Sequence, residues 1–318
     1  MAIIILGIGS FCAFSQPVEN LKNNYAYYLK GLFCIENGDF NLALKELEKA
    51  KILDPTSVYI RLKIVYALIQ LGQLSHAEKE LKELKRLEPN NPQIHLALSL
   101  LYSLQEKRIE FEKEYETFLK LLSTKEPSNL QIKEALGQFY FYKGRYDEAI
   151  KVYQDIVENN PKYTDGLFWL GYLYEETNRR QEAIRLWERV LEISPEHVLT
   201  LNSLGYIYAE EGINLDQAEI MIKKALEYEP ENGAFLDSLG WVYFKKKDYK
   251  NAEYYLLSAH NLLNDPVIYE HLGDLYIQLN MPEKAIFYYK KGLEIFPKNI
   301  KLMEKLNMYG DQNKVIRK

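Results

Sequence analysis

The chain has 318 residues, 47% of them apolar and 27% charged, with a formal net charge of −5. A pI near 5.7 leaves no basic footprint for a nucleic acid. Lysine clusters such as Lys245-Lys246-Lys247 and Lys290-Lys291 alternate with acidic stretches, as solvated helix faces do.

The first element is a leader-like segment. Residues 2–14 (AIIILGIGSFCAF) are uncharged and mostly apolar, the length of a signal-peptide core and too short for a spanning helix. Ala13 and Ser15 place small residues before Gln16, so residues 1–15 are read as a signal peptide and residues 16–23 as a short linker. This predicts a periplasmic or outer-membrane-associated protein without a membrane span. No positive n-region precedes the apolar run, and a cytoplasmic protein follows if the segment is not a leader. Cys12 is where a lipid anchor would attach, but Gly9-Ser10-Phe11-Cys12 lacks leucine at minus three and has a bulky residue at minus one. Cleavage leaves one cysteine, Cys34, at a packing position, and no internal disulfide.

From residue 24 the chain repeats. Gly137, Gly171, Gly205, Gly240 and Gly273 recur every 33 to 35 residues, each followed three places later by tyrosine. Ala43, Ala77, Ala149, Ala183, Ala218, Ala252 and Ala285 keep the same beat, and so do prolines such as Pro55, Pro89, Pro161, Pro195 and Pro230. Within one period, Ile132, Leu136, Phe139 and Tyr140 share a helical face, Gly144 ends that helix, and Ala149, Val152, Tyr153 and Ile156 form a second stripe that stops before Pro161. A mid-helix glycine costs about 1 kcal/mol against alanine. Gly137 facing Ala149 across the hairpin would justify that cost by letting the two axes come close, with Tyr140 and Tyr153 filling the space beside them.

Eight units are predicted: 24–57, 58–91, 92–129, 130–163, 164–197, 198–232, 233–265 and 266–299. The first has Cys34 where tyrosine is expected, and the second has Val65 at the glycine position. The third is four residues longer, with Ser99 at the glycine position and Tyr115 near the alanine position. Residues 300–318 are read as a capping helix and a frayed tail, the helix turning Lys301, Glu304, Lys305 and Asn307 outward.

Leu-Gly pairs at 136–137, 170–171, 204–205, 239–240 and 272–273, with tyrosine at plus three and alanine then proline at about twelve-residue steps, resemble the tetratricopeptide repeat family. The resemblance implies an all-α, right-handed α-solenoid of about eight helical hairpins with a C-terminal capping helix. It also implies an inner groove lined by five positions of each first helix. Those positions select Glu134, Gln138, Phe141, Tyr142, Phe168, Tyr172, Glu175, Asn202, Tyr206, Asp237, Trp241, Phe244, Glu270 and Asp274 as partner-binding residues, with Trp241 the leading anchor. Carboxylates interleaved with aromatics imply a protein or peptide partner bearing basic and apolar residues. Family members that clamp a terminal carboxylate use lysine, asparagine and arginine there; this chain has acids and apolar residues.

No catalytic constellation accompanies the repeats. The histidines His76, His95, His197, His260 and His271 lack metal-ligand spacing, and there is no phosphate loop or nucleophile elbow, so no cofactor or metal is expected. The expected function is a non-catalytic scaffold or adaptor of the bacterial envelope. NSLGYIYAEEG, FLDSLGWVYF and DPVIYEHLGDLY in the last hundred residues are similar to envelope proteins that include lipoprotein adaptors of periplasmic carboxy-terminal processing proteases. A structural subunit of an envelope export or outer-membrane assembly machine, and a cytosolic assembly factor, remain alternatives.

Overall fold

A computed structural model describes residues 18–310. The leader, Cys12 and the last eight residues lie outside the described residues. Seventeen α-helices and no strands occur among those described. They divide into two compact units, one ending at Phe139 and one beginning at Tyr140.

The first unit holds three hairpins: α1 (Val18–Glu36) with α2 (Phe40–Leu53), α3 (Val58–Gln70) with α4 (Leu74–Leu87), and α5 (Pro92–Leu104) with α6 (Arg108–Lys125). Helix α7 (Leu130–Tyr142) starts in this unit and crosses the division. The second unit continues with α8 (Tyr146–Asn159), α9 (Thr164–Glu176), α10 (Arg180–Ile193), α11 (Val198–Glu211) and α12 (Leu215–Tyr228). It ends with α13 (Gly233–Lys245), α14 (Tyr249–Leu262), α15 (Pro266–Gln278), α16 (Pro282–Ile295) and α17 (Ile300–Gly310). Helix α1 begins at Val18, so most of the segment read as linker is helical. Helix α6, at 18 residues, is four longer than the other second helices.

Each hairpin turns on a left-handed residue, and the turn between α11 and α12 has a second, Asn214, with φ 48°. Gly38, Gly72, Gly144 and Gly212 take this place with φ between 67° and 74°, and Glu106, Asn178, Lys247 and Asn280 take the same place in the other hairpins. The turn geometry is thus common to all, and glycine merely makes it cheaper in four of them.

Beside the mid-helix glycines whose surroundings are described lie the alanine backbone, as for Gly205 and Ala218, and, filling the space, the residue four places after the alanine, the position Tyr153 holds in its own hairpin. All seven alanines of the series are fully buried, and the space left by Gly31, Gly171, Gly205, Gly240 and Gly273 is filled by the residue four places after the alanine. A Cβ on Gly31, Gly205 or Gly240 would lie 2.6–2.7 Å from Leu47, Ile222 or Leu256; on Gly171 it would meet the Trp187 indole, and on Gly273 the Tyr289 ring. One helical turn separates the alanine from this residue, so alanine sets the axis distance while its neighbour inserts over the glycine. Tyr174, Tyr243 and Tyr276, three residues after their glycines, do not fill that space. Their hydroxyls reach back to the preceding second helix: Tyr174 to Gln154 (3.0 Å), Tyr243 to Glu219 (2.9 Å) and Tyr276 to Glu253 (2.8 Å). From Gly171 onward, each Gly-x-x-Tyr therefore makes one contact within its hairpin and one to the hairpin before.

Helix α17 caps the second unit with Leu302 fully buried; Lys301, Glu304 and Asn307 face outward as expected, but Ile300, Met303 and Met308 are exposed beside them. Lys305 turns inward instead and donates to Asp274 at 2.7 Å. No described helix is long and apolar enough to cross a membrane.

Candidate functional site

In the second unit α11 packs on α13, α13 on α15 and α15 on α17, so these helices share one continuous face. Most of the selected residues lie along the first helices of this unit, and their roles divide sharply.

At the start of the unit Phe141 and Tyr142 end α7, and Phe168 and Tyr172 stand on α9. Phe141 meets Tyr172 edge-on at 5.6 Å and Trp169 at 5.8 Å, and Trp169 also contacts Phe168 and Tyr172. Tyr142 touches Phe141 at 5.4 Å but is itself 77% exposed. Burial, with the Glu176 carboxylate beside it, pushes the Tyr172 hydroxyl up to about 12. Phe168 is buried under this group and does not face solvent as expected. Trp169, which ties the cluster together, sits one place past the family's groove position, and the positional rule skipped it for that reason.

Further along, Trp241 departs most from its expected role. It is only 6% exposed. Its indole N–H donates to Glu210, its ring stacks on Phe244 at 4.5 Å and on His271 at 3.9 Å, and Lys245 lies 5.0 Å above it. Beneath it His271 Nδ1 bonds both oxygens of buried Asp237 at 3.0 Å. An Asp–His pair of this kind can orient a general base, but here both residues are covered by packed side chains.

Several of the carboxylates expected to await a basic partner are paired within the chain. Arg180 grips Glu175 through two nitrogens (2.6 and 3.1 Å), while Asp274 accepts from Lys305 and from the Tyr289 hydroxyl at 2.7 Å. Glu270 has Lys301 and Lys305 at 3.9 Å. Tyr206 is half-buried, its hydroxyl raised by burial and by Glu210, Asp237 and Glu270. Asn202 on α11 keeps a buried side-chain oxygen with no hydrogen-bond donor. Glu134 and Gln138 lie half-buried on the part of α7 that belongs to the first unit. Among the described residues no group of His, Cys, Asp and Glu could hold a metal.

Burial alone would lower the His271 pKa, but Asp237, helped by Glu210 and Glu270, raises it above the usual 6.5. A folded pKa above the unfolded one gives stability that is complete below about pH 6.5 and disappears as pH climbs through the raised value. Urea midpoints of the wild type should therefore fall as pH rises above neutrality, and His271→Gln should flatten that fall. Parallel pH profiles for the two proteins would show that the ring carries no linked proton.

Comparison with known proteins agrees with this architecture. Family models described as tetratricopeptide repeat match residues 35–101, 113–164 with 134–198, and 267–299. No curated protein matches the sequence. Among solved structures, a tetratricopeptide repeat protein from Parabacteroides merdae ATCC 43184 shares 20% identity at a TM-score of 0.58, over 78% of this chain and 97% of that one. The hetero-tetramer Cut9-Hcn1 of the APC/C shares 20% identity at a TM-score of 0.57, over 85% of this chain and 52% of that one. At such identities the likeness concerns the fold alone. Repeats of this kind serve as protein-interaction scaffolds, and the matched segments together take in more than half of the chain. The chain is a tetratricopeptide repeat protein.

Proposed function

We propose that the chain is a non-catalytic scaffold or adaptor of the bacterial envelope. It holds a partner segment with apolar and basic residues against the first-helix face of its second unit. The observation that carries this reading is the aromatic cluster at Phe141, Trp169 and Tyr172, from which Tyr142 projects almost wholly into solvent. A rigid aromatic platform with one protruding ring and the exposed Glu176 carboxylate beside Tyr172 suits an apolar side chain flanked by a cation.

Tyr142→Ala should weaken capture of the partner by roughly 30-fold, about 2 kcal/mol, as loss of an anchoring ring does. Because the ring is exposed, the thermal midpoint should not move. Full retention of the partner by this variant would place binding elsewhere. The envelope assignment rests on residues 1–15 and on the likeness of the last hundred residues to envelope adaptors. Mass spectrometry of the mature protein should find Gln16 at the N-terminus, and an intact Met1 would withdraw the assignment.

A further inference from the structure

The second helices differ from one another at one outward position. Two places after the buried alanine, four of the earlier hairpins carry Lys45, Lys79, Lys151 and Arg185, and Lys113 follows Lys79 by 34 residues in the third. All five are exposed, as cations on a solvated face are. In the last three hairpins the same position holds Ile220, Tyr254 and Phe287, which are 68%, 65% and 57% exposed. Large apolar groups thus replace cations without gaining cover. Falling at one register position on successive second helices of one unit, they make a row rather than the scattered apolar residues of an ordinary surface.

Two members of the row are held in place from behind. Tyr254 meets Tyr255 edge-on at 5.0 Å, and Tyr255 stacks on Tyr243 at 5.5 Å. One hairpin later Phe287 meets Tyr288 edge-on at 5.3 Å, and Tyr288 stacks on Tyr276 at 5.5 Å. Tyr243 and Tyr276 are themselves bonded to the hairpin before, so each exposed ring stands on a fixed aromatic support. A ring placed in this way has little conformational freedom left to lose on binding.

The free charge beside the row has one sign. Lys250 lies one turn before Tyr254 and Lys290 three residues after Phe287; both are exposed, with no carboxylate in ion-pair distance among the described residues. Every acid within four residues of the row is already engaged. Asp216 and Glu219 accept from Lys246 (2.6 and 2.7 Å), Glu253 accepts from Tyr276 (2.8 Å), and Glu283 has a partner within the chain.

We propose that this second-helix face docks an acidic amphipathic segment of another protein. The segment's apolar side chains sit on Ile220, Tyr254 and Phe287, and its carboxylates meet Lys250 and Lys290. Charge decides among the occupants. A second copy joined about a two-fold axis sets the patch against itself, and the patch offers those lysines no free acid. An anionic bilayer would bring its headgroups against the four acids, and the apolar side chains stand one to a helix, without the continuous apolar face that interfacial burial needs. The inference is independent of the first-helix face: a basic segment is proposed there and an acidic one here, so one chain can join partners of opposite charge.

Two labelled amphipathic peptides test the proposal, each with leucines along one helical face, flanked by glutamates in one and by lysines in the other. In fluorescence anisotropy with the full chain, Tyr254→Ala and Phe287→Ala should each weaken the glutamate peptide at least about tenfold. The thermal midpoint should hold, because both rings are exposed. Lys250→Glu combined with Lys290→Glu should weaken the glutamate peptide likewise and the lysine peptide not at all. Tyr142→Ala should leave the glutamate peptide bound, which separates this face from the first-helix one. A glutamate peptide that does not bind, or whose binding survives Tyr254→Ala and Phe287→Ala, overturns the proposal. Losses falling equally on both peptides overturn it too, since they show apolar contact without charge preference. Flotation with phosphatidylglycerol vesicles, or dimerisation in sedimentation, that Phe287→Ala abolishes would assign the face to lipid or to a second copy and overturn it as well.

Discussion

Trp241→Ala should cost the second unit about 3–5 kcal/mol, the range for truncating a large buried aromatic. The indole is nearly inaccessible, stacks between Phe244 and His271, and donates its N–H to Glu210. Removing it opens a cavity, leaves Glu210 without that donor and uncovers the Asp237–His271 pair. Thermal and urea unfolding should both register the loss, and Tyr142→Ala should leave both unchanged. A shift for Trp241→Ala within about 0.5 kcal/mol, typical of surface positions, would mean the ring does not pack as described. The consequence for function is direct. Loss of a partner in the Trp241 variant reports an unfolded repeat, whereas loss in the Tyr142 variant reports a binding surface.

Gly273→Ala should also destabilise, although alanine favours a helix by about 1 kcal/mol over glycine. The new methyl would sit inside the Tyr289 ring, which is fully buried and bonded through its hydroxyl to Asp274. Room can come only from moving that ring, which weakens the Asp274 bond and disturbs the stack with Tyr309. Overpacking of this kind costs about 1–3 kcal/mol, more than the helix gains. A double-mutant cycle isolates the cause. In a Tyr289→Ala background the added methyl has space, so Gly273→Ala should become neutral or stabilising there. Equal losses in both backgrounds would assign the effect to the helix itself.

The hairpin period, the seven buried alanines and the turn residues were legible because they answer local demands: an apolar stripe every 3.6 residues, a close axis, a left-handed φ. The groove was less legible. Family positions treat each helix separately. Trp241 is covered because His271 lies 30 residues on and Phe244 one turn on, and no single helix shows that meeting. Asp274 and Glu175 looked available because Lys305 and Arg180 come from other helices. Trp169 escaped notice because it lies just outside the family's positions, yet four aromatics converge on it.

The amino-acid order alone determined that this protein folds as repeated helical hairpins, since periodic apolar faces have nowhere to go except onto the next copy of themselves. Packing in three dimensions decided which charged and aromatic side chains stay available to a partner. That choice depends on neighbours 20 to 35 residues away, whose approach is set by how one hairpin seats on another. It left Tyr142 projecting and closed Trp241 over a buried pair.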